Sequence, residues 1–201
     1  MPSISLTNPE NVTRLELGTS SETKLGGNID LSKFTLLTWF NGDNMDLNTL
    51  AGFENLSQLQ RIYAQDNLLA DFDLPTLANT SISFFNISNT ATGTSDDTGP
   101  SDVVDGWSVP PSLRAMYFSR TRISKNVAAK RKILTALYDV FRNAGYASNR
   151  SFLNVNWSGG AYLLDRASNL NAPHSTVTVG EAVDHLASIG FSVAGFSAPA
   201  A

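Results

Sequence analysis

Few residues in this chain are equipped for covalent or metal chemistry. It has two histidines, His174 and His185, and no cysteine. Thiol nucleophiles, cysteine metal sites and disulfides are therefore excluded. A histidine metal site would need both histidines plus carboxylates. His185 lies beside an apolar helix face and reads as a partly buried helix residue. Asp96, Asp97, Asp102 and Asp105 crowd one polar loop and are candidate calcium oxygens. Their spacing fits no known ligand loop, and solvated loop carboxylates are the plainer reading. The patterns G-x-S-x-G, H-E-x-x-H and the P-loop do not occur. Gly159-Gly160 reads as a turn, because no lysine-bearing helix start follows it. The sequence thus predicts no catalytic residues, no metal and no cofactor. What remains is recognition chemistry: Trp39, Arg61, Tyr63, Phe85 and Tyr117 are the side-chain types that dominate interface energetics. Whether they share a surface depends on the elements that carry them.

Those elements follow from one spacing. Leu56, Leu59, Ile62, Ala64, Asn67 and Leu69 form L-x-x-L-x-x-I-x-A-x-x-N-x-L, the signature of one leucine-rich repeat. Ile62 and Ala64 are two apart, so a strand points both inward. Asn67 follows where the chain turns, and its side chain can satisfy backbone groups left unpaired there. Phe34, Leu37, Phe40, Gly42, Met45 and Leu47 repeat the run 22 residues earlier, with Met45 in the asparagine place and Asn44 beside it. Leu15 and Leu17 give a strand pair before them. Ile82 and Phe84 read as the inward pair after them, with Ile87 near the turn. Leu113, Met116, Phe118, Thr121 and Ile123 restore the pattern, preceded by Pro110-Pro111. The polar stretches 18–30 and 89–106 read as loops.

From Ser124 the period changes. Val127, Ile133, Leu134, Leu137, Tyr138 and Phe141 recur at helical steps, with Ser124 as N-cap and Gly145 as terminator. Lys130, Arg131 and Lys132 form a basic cluster, read as a solvated face or as a contact for an acidic partner. A second helix spans Thr178 to Ile189 and stops at Gly190. Short strands lie at Phe152–Trp157 and Phe191–Val193. The 201 residues are 42% hydrophobic, enough for one core, and carry a net charge of −4. That charge argues against a nucleic-acid surface. No apolar run approaches the roughly 18–20 residues that span a bilayer, and the N-terminus shows no signal peptide.

The closing residues resemble a known group. Gly145-Tyr146-Ala147-Ser148-Asn149, Leu153-Asn154-Val155-Asn156-Trp157-Ser158-Gly159-Gly160, Asn171-Ala172-Pro173 and Gly190-Phe191-Ser192-Val193 are similar to the ending of leucine-rich-repeat-like proteins of bacteriophage virions and bacterial surfaces. The chain departs at Phe191, where the group usually has Trp, and at Arg150, where it often has Gly. The resemblance implies an α/β solenoid with a short parallel sheet and an irregular convex side. Residues 1–123 would form the solenoid and residues 124–201 a continuous cap of two helices and short strands. It implies a non-enzymatic virion protein, assembled in the host cytoplasm. Such a protein attaches to other virion proteins as capsid decoration or as a tail or fibre component, and self-association is a further expectation. Two alternatives stand: a receptor-binding module for a bacterial surface glycan or protein, and a secreted bacterial interaction protein. Aligning the repeats puts Arg14, Trp39, Arg61, Ser81 and Ala115 in one outward column, and Glu16, Asn41, Tyr63, Ser83 and Tyr117 in the next. A third holds Asp43, Gln65, Phe85 and Ser119. The aromatic members are either a binding patch or rings packed beneath the chain's own loop 89–111.

Overall fold

A computed structural model describes residues 7–18, 24–69, 77, 80–90, 107–142, 153–156, 163–193 and 195–197. The acidic loop Asp96, Asp97, Asp102 and Asp105, the terminator Gly145 and the Gly159-Gly160 turn lie outside them. Nine strands and three α-helices occur among the described residues. Five strands share one three-residue design: β1 Arg14–Glu16, β3 Trp39–Asn41, β5 Arg61–Tyr63, β6 Phe84–Asn86 and β7 Ala115–Tyr117. Each pairs in parallel with the next, then with β8 Leu153–Asn156 and β9 Phe191–Ser192, giving a seven-stranded sheet in chain order. With its helices this is an α/β fold built on a parallel sheet.

The pairing register follows from burial. The middle residues Leu15, Phe40, Ile62, Phe85 and Met116 stand opposite one another and are all buried. Two positions on, Ala64, Ile87 and Phe118 are buried as well. A one-residue slip would turn this whole set to solvent, so the register is strongly fixed. On β3 the equivalent place is Gly42, where an added Cβ would lie 2.7 Å from the Phe40 ring.

Asn67 performs the predicted turn role. Its Oδ1 accepts from the backbone N–H of Met45 (3.1 Å) and Leu47 (2.9 Å), and its Nδ2 donates to the carbonyls of Gly42 (2.7 Å) and Ala64 (3.0 Å). One side chain thus ties its own bend to the previous one. Just before it runs a column of left-handed residues, Asn44, Asp66, Asn89 and Arg120, with φ of 55°, 57°, 54° and 57°. Their amides extend the ladder beyond the strands: Asn44 N–H reaches Gln65 O at 3.0 Å and Asp66 N–H reaches Ser88 O at 3.0 Å.

Four expectations are corrected. The inward pair on β6 is Phe85 and Ile87, not Ile82 and Phe84; Ile82 takes the place of Leu59 and Leu113 before the strand. The 18–30 stretch contains a strand, β2 Gly27–Asp30, which pairs in parallel with β4 Leu47–Ala51 as a separate two-stranded sheet. Ser124 is not a helix N-cap. Thr121 caps α1 Arg122–Lys125, with Ser124 closing the capping box, and Asn126 caps α2 Val127–Phe141. Finally, Lys130 is fully buried on α2, so the basic cluster is not a solvated face. Burial pushes its ammonium down to about 8, and its Nζ donates to Gly195 O at 3.4 Å. Arg131 donates instead to Asn169 O at 2.5 Å.

The second long helix, α3 Val179–Ser188, starts at Thr178 with a full capping box to Glu181. Hydrogen bonds from the Thr178 backbone and hydroxyl hold the Glu181 carboxyl below its ordinary range. One apolar cluster runs from Leu15 through the sheet and helices to Phe196. No helix among the described residues is long and apolar enough to cross a membrane.

Candidate functional site

Alternation sends the residues flanking each buried strand centre to the face away from the core. Parallel register then stacks them in two columns. The first holds Arg14, Trp39, Arg61, Phe84 and Ala115; the second holds Glu16, Asn41, Tyr63, Asn86 and Tyr117. Aromatic residues take one column or the other on successive strands, so their rings zigzag across the face. Trp39 and Tyr63 lie 5.7 Å apart at 50°, Tyr63 and Phe84 stack at 4.6 Å and 28°, and Phe84 and Tyr117 meet at 5.5 Å and 46°. The strand spacing of about 4.8 Å is near ring-stacking distance, which is why neighbouring strands bring their rings together. The Arg14 guanidinium caps the row, 3.9 Å from the Trp39 ring centroid, and also pairs with Glu16 at 3.3 Å.

The structure places Trp39, Arg61, Tyr63 and Tyr117 on one face. It does not bring Phe85 there. That ring is 1% exposed and packs edge-on against Phe118 at 5.3 Å. Phe84 holds the outward place, with Asn86 two residues on where Ser83 was expected. Asn41 and Asn86 each accept, through Oδ1, the amide two residues ahead (Asp43 at 3.0 Å, Ser88 at 2.9 Å), which shapes the strand exits. The third outward column consequently reads Asp43, Gln65, Ser88 and Ser119.

Ring orientation decides what the surface offers. Tyr63 and Phe84 turn their faces to each other, the contacts at either end of the row are tilted, and the Arg14 guanidinium lies over the Trp39 ring. All four rings are half-buried. Charge is unevenly spread along the strand direction. Arg61 and Arg114 are exposed at the strand starts and form no ion pair among the described residues. Asp43 and Asp66 lie at the strand ends. Burial, and then the charge of Asp66, push the Asp43 carboxyl above its ordinary value.

The histidines serve the helical part. His174 is 5% exposed and its Nε2 bonds Asp139 Oδ1 of α2 at 2.8 Å. Tyr138 stands between His174 and His185, edge-on to both at 5.3 and 5.6 Å. This pair fastens the segment before α3 onto α2. Among the described residues, no group of three His, Asp or Glu side chains is placed to hold a metal ion. Comparison of the chain with protein families, with curated proteins and with solved structures finds no match.

Proposed function

We propose that this chain is a short leucine-rich-repeat-like solenoid over residues 1–123, closed by a cap over 124–201. In this reading it is a non-enzymatic attachment protein of the bacteriophage virion, as capsid decoration or as a tail or fibre component. Its binding surface is the row Trp39–Tyr63–Phe84–Tyr117, with Arg61 beside it. The observation that carries the reading is that row. Four half-buried aromatic side chains in contact on one sheet face, outside the core cluster, are the residue types that dominate interface energetics. The solenoid reading is supported by strands pairing in chain order and by the asparagine turn. The virion assignment is supported by the closing residues from Gly145 to Val193.

A protein partner suits this surface better than a glycan. Sugar recognition by stacking uses open ring faces, and here Tyr63 and Phe84 stack on each other while Arg14 covers a face of Trp39. Protein recognition uses ring edges, hydroxyls and arginines at a packed interface. The test is quantitative mass spectrometry of purified particles, wild type against Tyr63→Ala/Tyr117→Ala. Wild-type chain should be present at fixed copy number. The variant should be depleted, each anchor contributing about 2 kcal/mol, with its circular dichroism unchanged. Absence of the wild-type chain from particles would overturn the virion assignment. Full incorporation of the variant would overturn the role of the row.

A further inference from the structure

We infer that the outward face binds a second copy of this chain, related by a twofold axis that lies in the interface and runs across the strands. The inference rests on reading this face as a protein-binding surface, and names its occupant. The argument starts from the two outward columns. A twofold axis along the sheet, at the level of the buried middle residues, reverses strand direction and leaves each strand facing its own equivalent. The first column of one copy then lies over the second column of the other. On β1 this sets Arg14 against Glu16 of the second copy; on β5 it sets Arg61 against Tyr63; on β7 it sets Ala115 against Tyr117. On β3 and β6, Trp39 and Phe84 meet Asn41 and Asn86.

Every level therefore opposes unlike side chains: a charge to its opposite, a guanidinium to a ring, or a large ring to a smaller residue. No strand carries two large rings that would collide, and none carries two like charges. One ring on each of these strands is the reason, and the zigzag alternates the two copies' rings on either side of the axis. The same axis brings the strand starts of one copy, where Arg61 and Arg114 form no ion pair among the described residues, toward the strand ends of the other, where Asp43 and Asp66 lie close enough to repel, with Lys24 bonded to Asn44 and Arg120 at the last turn. The alternative axis, parallel to the strands, would set starts against starts and bring like charges together. The first arrangement keeps Arg61 and Arg114 of the two copies apart and is the more complementary of the two.

The test uses the full chain. Sedimentation equilibrium should give a dimer that dissociates on dilution. Tyr63→Ala/Phe84→Ala should weaken dimerisation by about tenfold or more. An acidic variant, Arg14→Glu/Arg61→Glu, and a basic variant, Glu16→Lys/Asp66→Lys, should each be largely monomeric. Mixed one to one, they should recover a heterodimer, because both sets of crossed contacts become attractive. Position 66 tolerates a long cation, since Arg120 adopts the same left-handed backbone at the equivalent turn. Circular dichroism of each variant alone separates loss of pairing from loss of fold, and recovery on mixing requires folded chains. A wild-type chain that stays monomeric to roughly 100 μM overturns the proposal, as does a dimer indifferent to the ring substitutions or a mixture that fails to pair. If the chain is monomeric while Tyr63→Ala/Tyr117→Ala is still lost from particles, the face binds another protein: the twofold falls and the attachment reading stands.

Discussion

At the residue scale, two buried polar side chains have opposite energetic signs. Asn67 is 3% exposed and satisfies backbone groups of two successive turns. Replacing it with alanine would strand at least two amides and one carbonyl in the core. Unsatisfied buried groups cost about 1–3 kcal/mol each, and partial relaxation should bring the total to about 3 kcal/mol. Urea unfolding of Asn67→Ala should show that loss as a lower midpoint at unchanged slope. Lys130 works the other way. Its folded-state value of about 8 lies below the roughly 10.4 of an unfolded lysine. Below pH 8 both states are protonated and the burial penalty is felt in full. Between about pH 8 and 10.4 the unfolded chain holds a proton that the folded chain has released, so stability rises with pH. Lys130→Met should abolish that rise and stabilise the chain at pH 7 by about 1–3 kcal/mol. A flat wild-type profile over that window would show that the ammonium is hydrated in the fold. Asn67 was legible because its spacing from Ile62 is diagnostic. Lys130 was misread as part of a charge run, although it sits three and four positions before Ile133 and Leu134 and so on their face of α2.

At the element scale, what was legible was the strand centres with clear flanks, and what was missed depended on neighbours. Phe84-Phe85 offers two registers that alternate equally well. The choice falls to Phe85 because Ile62 and Met116 flank it in the sheet and Ile82 then fills the Leu59 level. Ile82-x-x-Phe85-x-Ile87 carries the repeat spacing itself and was the available signal. Trp39, Tyr63 and Tyr117 lie half-buried in the outward columns, where their strands left one register, whereas Phe85 is buried. β2 was missed because Gly26-Gly27-Asn28 reads as a loop. Its pairing with β4 relies on Gly52, which has φ of 88° and lies where an added Cβ would come 2.3 Å from Ser32 N. Gly52→Ala would combine a left-handed backbone with a clash against main chain, which cannot swing aside. It should cost about 2–3 kcal/mol. Gly26→Ala is the control: it shares a positive φ of 64° but meets nothing within 4 Å. A melting temperature that falls no further for Gly52→Ala than for Gly26→Ala would mean that the two-stranded sheet moves freely enough to absorb the contact.

At the scale of the whole molecule, each strand of the seven-stranded sheet pairs only with its neighbours in that sheet, so stability should propagate along it as nearest-neighbour coupling rather than through a central hub. Long arrays of that kind unfold in stages. Short ones remain cooperative when no interface is much weaker than the rest. Here the apolar cluster passes without a break from Leu15 on β1 to Phe141 on α2, and Phe141 packs on Phe191 of β9 at 4.7 Å. The helical part therefore shares its core with the sheet, and one transition is expected. Two probes can check this. Trp39 and Trp107 report on the strand-rich half, and the helical signal at 222 nm comes mainly from α2 and α3. With Trp157→Phe to confine the fluorescence to the first half, the two urea curves should share a midpoint. Tyr138→Ala, which removes the ring between His174 and His185, should lower both curves together. If instead the helical signal is lost first and the tryptophans follow at higher urea, the boundary near residue 123 is a true domain boundary. The cap would then be dispensable to the sheet, and the open edge at β7 would have to be stable without it.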